Sequence, residues 1–155
     1  MSDPVRENAQ PASGPLPRAS MTIHLLNRLT EIDRLSRLAE AFGKGHQLPA
    51  DLMYHVTLAL DEVVTNIIKY GYDAPGDHII VTTLALDGDV LLTQVEDDGH
   101  PFNPLAAPPP DIDASLHDRP IGGLGIHLIR SLMDSVEYRR ENGRNVLVMR
   151  KAARA

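Results

Sequence analysis

The chain has 155 residues, 43% apolar and 23% charged, a balance that suits one domain with a proper core. A formal net charge of −6 and a pI near 5.6 argue against a general nucleic-acid or anionic-membrane binder. The absence of cysteine excludes disulfides, thiolate metal sites and cysteine nucleophiles. No apolar run approaches the ~20 residues a membrane span needs and the N-terminus lacks an apolar signal core, so a soluble, cytoplasmic protein is expected.

In chain order, Met1 to Ser20 is rich in Pro, Ala, Ser and charge and reads as a disordered tail. Met21 to Leu26 alternates weakly, as a first strand would. Thr30 with Asp33, followed by Ile32, Leu35, Leu38, Ala39 and Phe42, predicts a capped amphipathic helix that stops at Gly43. Pro49 and Asp51 open a long helix that ends near Gly71. On that helix Leu60, Val64 and Ile67 form a core-facing line, while Glu62, Asn66 and Lys69 stack along another at i, i+4, i+7 spacing.

Beyond the Asp73 to Asp77 turn, His78 to Leu86 and Val90 to Glu96 are β-rich runs joined by Asp87-Gly88-Asp89, a hairpin signal. A long, proline-rich connection from Asp97 to Pro120 follows, of a kind that is functional or disordered inside a compact domain. Gly122 to Met133 starts with glycines and turns helical. Val136 to Arg140 and Val146 to Lys151 flank a second hairpin at Asn142-Gly143. The order β-α-α-ββ-lid-α-ββ predicts an α/β two-layer sandwich, with helices covering one face of a mainly antiparallel sheet.

Three stretches carry candidate chemistry. A carboxylate at a strand end, as in Asp97-Asp98-Gly99, can accept a hydrogen bond from an exocyclic amino group, and the glycine lets a ring approach the backbone. Alone, the tripeptide reads better as a plain β-turn. Gly122-Gly123-Leu124-Gly125 frees backbone N–H groups at a helix N-terminus for an anion, or is a hinge. No Gly-Lys-Ser/Thr follows it, so it is not a P-loop, and it follows a loop rather than the strand of a dinucleotide fingerprint. The Asn66 carboxamide oxygen suits Mg²⁺, and the Glu62 carboxylate one turn earlier can take a proton from an attacking hydroxyl. Alone, the pair reads better as a solvated helix face at Glu62 and a locally hydrogen-bonding Asn66.

Together, these stretches resemble the serine-kinase anti-sigma factors of the GHKL ATPase superfamily, which also holds histidine-kinase catalytic domains, gyrase B and Hsp90. Glu62-Val-Val-Thr-Asn66 with Lys69-Tyr70-Gly71-Tyr72 resembles the N-box. Asp97-Asp98-Gly99 before Pro101-Phe102-Asn103-Pro104 resembles the Asp-x-Gly box, and Gly123-Leu124-Gly125 the glycine-rich box. The resemblance runs from about Met21 to Lys151 and implies the Bergerat ATP-binding fold over 21–151. It implies that Asn66 holds Mg²⁺, that Asp97 reads adenine, and that Gly99, Gly123, Leu124 and Gly125 shape an ATP pocket under a lid at about 100–121. It further implies Glu62 as general base toward a protein serine.

Departures from the family pattern are Pro101 at a glycine position, Tyr70 where relatives often carry histidine, and Ile121 where some carry arginine. Arg119 is the candidate lid arginine, and Lys69 a candidate phosphate contact. By resemblance, the partners are a sigma factor and a STAS-fold anti-sigma-factor antagonist, with dimers common and no direct DNA or membrane contact. The expected activity is ATP-dependent protein-serine phosphorylation, the alternative a nucleotide-gated binding module with little kinase activity. The seven histidines show no ligand pattern, and Arg139, Arg140, Arg144, Arg150 and Lys151 read as a solvated face.

Overall fold

The computed structural model describes residues 19–106 and 123–153. Among these residues five strands form one antiparallel sheet in the order β1-β2-β3-β5-β4. They are β1 (Ala19–Leu26), β2 (Ile79–Asp87), β3 (Val90–Asp97), β4 (Ser135–Glu141) and β5 (Arg144–Ala152). Three helices of the described residues cover one face: α1 (Glu31–Gly45), α2 (Ala50–Tyr70) and α3 (Gly123–Leu132). This is the two-layer α/β arrangement expected from the element order.

The hairpins follow from turn residues that accept a left-handed backbone. Gly88 (φ 59°) turns β2 into β3, and Asn142 (φ 52°) with Gly143 (φ 75°) turns β4 into β5. Both β3 and β4 lie antiparallel to β5, so they run parallel to each other. Between them in the chain come the 3-10 turn at Pro104–Ala106 and α3.

Alternation along the strands sends one set of side chains under the helices. Leu25, Ile80, Leu84, Leu91, Val95 and Met149 are buried there against Leu35, Phe42, Val56, Leu60, Val64 and Ile129 of the helices. Leu84 sits at the centre of β2 with no exposed surface. Leu84→Ala is expected to cost about 2–5 kcal/mol in denaturant unfolding, since the hole cannot close fully. A loss below ~1 kcal/mol would show that this strand is not the middle of the core.

Several local expectations shift. β1 starts at Ala19, two residues before the strand read from the pattern. Thr30 makes no side-chain cap: the turn ahead of α1 already supplies carbonyls, with Glu31 N donating to Arg28 O at 2.9 Å and Ile32 N to Leu29 O at 3.2 Å. Gly43 does not stop α1, which runs on to Gly45. A Cβ at Gly43 would lie 2.5 Å from Met53 Cγ, so glycine there serves the approach of α2 rather than termination.

Candidate nucleotide site

The C-terminal half of α2 lies over β3 and β5, with α3 alongside, and a cavity of about 340 Å³ opens between them. Its walls are apolar: Val63 and Ile67 from α2, Val95 and Leu147 from the sheet, Ile126 and Ile129 from α3. Tyr70 and Phe102, both about half exposed, also line it. Such walls suit a flat aromatic ring, and few polar groups reach the cavity to orient one.

The chief of these is Asp97, only 4% exposed and lining the cavity. Its Oδ1 accepts from Gly99 N at 2.9 Å and from Asn145 Nδ2 at 3.1 Å. Gly99 is needed for close approach, since a Cβ there would collide with the Gly71 carbonyl oxygen. The turn is pinned further by His100, whose backbone N donates to Gly71 O at 3.0 Å and whose ring Nε2 lies 2.7 Å from Tyr70 O. Asp98 points elsewhere, to His78 Nδ1 at 3.1 Å. His78 in turn stacks on Tyr72 with ring centroids 4.2 Å apart. Burial first, then the charges of Asp97 and Asp98, hold the Tyr72 hydroxyl protonated well above the usual tyrosine range.

On α2, Asn66 lines the cavity and Glu62 stands one turn earlier, half-buried, with Asn66 Nδ2 3.4 Å from Glu62 Oε1. The amide nitrogen is thus turned to the carboxylate, leaving the carbonyl oxygen for a hard cation. Gly123 and Leu124 open α3, and Gly125 presses against Glu62 so closely that a Cβ would collide with the carboxylate. The N-terminal turn of α3 therefore meets α2 at Glu62, one helical turn from Asn66.

Lys69, a candidate phosphate contact or else a solvated lysine, lies on the exposed last turn of α2 and does not line this cavity. Glu62 is outside its lining as well, on the side where α3 begins. Arg119 and most of the segment expected to be a lid (about 100–121) fall outside the described residues; the described part includes a short 3-10 turn, Pro104–Ala106, with Leu105 O accepting from Arg130 at 2.8 Å.

Several site residues were not singled out in advance. Asn145 and Tyr138 line the cavity through a long-range register, and His100 closes its turn. Arg140 is exposed, as expected of a solvated face, and also donates to Gly99 O at 2.8 Å. Arg139 is exposed too and pairs with Glu141 at 2.9 Å, whereas Arg144, Arg150 and Lys151 are partly buried, Arg150 pairing with Glu137 at 3.1 Å and Lys151 Nζ donating to Leu132 O.

Mg²⁺ fits the residues present in a limited way. Among the described residues no group of three His, Asp or Glu could cage a metal. Mg²⁺ does not require one, because one or two protein oxygens suffice when phosphates and water complete the shell. The Asn66 carbonyl oxygen is the ligand the geometry offers.

Residues 25–151 match the family model described as the histidine kinase-like ATPase domain. The chain is 30% identical to the serine/threonine-protein kinase BtrW of Bordetella bronchiseptica over 64% of its own length and 70% of that relative. It is 31% identical to the serine-protein kinase RsbW of Bacillus mycoides, over 63% of each chain. Against RsbW of Listeria monocytogenes identity is 29%, over 74% of this chain and 73% of that one. A crystal structure of the RsbU and RsbW domains of a Mycobacterium tuberculosis protein superposes with a TM-score of 0.62 at 14% identity. That match covers 90% of this chain and about a third (34%) of the longer one, and shows a shared fold.

Proposed function

The chain belongs to the histidine kinase-like ATPase domain family, and from that premise we propose that it is an ATP-dependent protein-serine kinase and anti-sigma factor. In this reading, 21–151 is the ATP-binding domain, with a lid over about 100–121. The partners are a sigma factor, which it sequesters, and a STAS-fold antagonist, which it phosphorylates; the setting is the cytoplasm. The observation that carries the proposal is a buried carboxylate, Asp97, in an apolar cavity that Asn66 also lines, with the first turn of α3 close by. The kinase names of the relatives point the same way.

Asp97 accepts the exocyclic amino group of adenine, and Val63, Ile67, Val95 and Ile126 enclose the ring. The phosphates extend toward Asn66 and the N–H groups that open α3. Mg²⁺, when bound, neutralises phosphate charge there. The substrate serine oxygen forms a bond to the γ-phosphorus in line with the breaking bond to the β–γ bridging oxygen. ADP leaves with that electron pair, and Glu62 takes the hydroxyl proton. Positioning and charge neutralisation carry the reaction without a covalent enzyme intermediate.

Incubating the protein with ATP labelled at the γ-phosphate, Mg²⁺ and a cognate STAS-fold antagonist is expected to give stoichiometric phosphoserine on the antagonist. A protein that binds ATP but transfers nothing would instead be a nucleotide-gated binding module.

A further inference from the structure

Asn145 is buried on β5, directly across from Asp97 of β3. Its amide makes four contacts. Nδ2 donates to Asp97 Oδ1 at 3.1 Å and to His100 O at 3.0 Å. Oδ1 accepts from the Tyr138 hydroxyl at 2.5 Å and from Phe102 N at 3.4 Å. A carboxamide has two N–H groups and two lone pairs, so this one is full.

Its orientation is fixed twice over. The Phe102 backbone N–H can only donate and the His100 carbonyl can only accept, so the amide cannot flip. It follows that the Tyr138 hydroxyl donates, and spends its single proton on Asn145. Asp97 Oδ1 is likewise filled, by Asn145 and by Gly99 N–H. Among the described residues Asp97 Oδ2 carries no hydrogen bond, although the residue is buried and lines the cavity.

We propose that Tyr138 and Asn145 are positioning residues that set the base selectivity of the cavity. By occupying one oxygen of Asp97 and stopping rotation of its carboxylate, they leave one fixed acceptor facing the ligand. A ring edge with an exocyclic amino group donates to Oδ2; a ring with a carbonyl oxygen there sets acceptor against acceptor. Terminal carboxylate torsions are soft, so without the pair only the Gly99 N–H holds Oδ1, the group turns more freely and the contrast between the two rings fades. Neither residue touches the base edge in this role: they act through Asp97. The inference rests on the reading of the cavity as a purine nucleotide site.

The test compares dissociation constants for ATP and for inosine triphosphate, which has a carbonyl oxygen in place of the amino group. Wild type, Tyr138→Phe and Asn145→Ala are measured, each checked for folding by thermal melting. Wild type is expected to favour ATP by about 100-fold, as sites built around a specific polar group do. Asn145→Ala should shrink that ratio by about tenfold or more, and the near-isosteric Tyr138→Phe by about threefold, each mainly by weakening ATP. A purely structural role would weaken both nucleotides together and leave the ratio unchanged, which overturns the inference while the nucleotide site stands. If Asn145→Ala does not fold, the ratio for Tyr138→Phe decides. Wild type that binds neither nucleotide overturns both this inference and the proposed function.

Discussion

Asp97→Asn is expected to weaken ATP binding by about 100-fold or more while leaving the fold intact. The substitution keeps size and shape but not polarity. Asp97 Oδ1 receives two N–H donors, from Gly99 and Asn145, so the new amide must present its oxygen to them. Its NH₂ group then faces the ligand where, in the proposed site, the adenine amino group also donates. Donor meets donor in a buried position, and neither finds water. Displacement of a fluorescent ATP analogue, beside circular dichroism for the fold, reads the effect. A change below about threefold would mean that Asp97 does not face the ligand.

Glu62→Gln is expected to separate chemistry from binding. Glu62 does not line the cavity, so ATP affinity should stay within about threefold. The amide fits the same space against Gly125, where anything bulkier on the glycine would collide. It cannot accept the serine proton, so single-turnover transfer to the antagonist should fall by about 10²–10⁴. Rapid quench with phosphoserine detection measures that step. Undiminished transfer would remove Glu62 from the chemistry and leave it as a support for α3.

Much of the fold was legible because its signals are local. Asp87-Gly88-Asp89 and Asn142-Gly143 specify tight turns from their own backbone preferences, and the apolar spacing of α2 predicts its buried stripe. Gly43 was misread because the cause of a glycine there is a partner helix, ten residues away at Met53, rather than the end of its own. Lys69 shares a helical line with Glu62 and Asn66, but that line runs past the cavity before it reaches the last turn. Asp97, Asn66 and the glycines stood out through resemblance, since each is ambiguous alone. Asn145, Tyr138 and Arg140 carried no such sign. Their roles come from strand register, which pairs Asp97 with a residue 48 positions away, and nothing in a short β-rich run marks that partner.

The central claim is that the cavity between α2, α3 and the sheet is an ATP site. Calorimetric titration of ATP with Mg²⁺ into the wild-type protein tests it most directly. One site per chain, with a dissociation constant in the micromolar range, is the predicted result. A folded protein that gives no binding heat up to millimolar ATP, and shows no displacement of an adenine nucleotide probe, would contradict it.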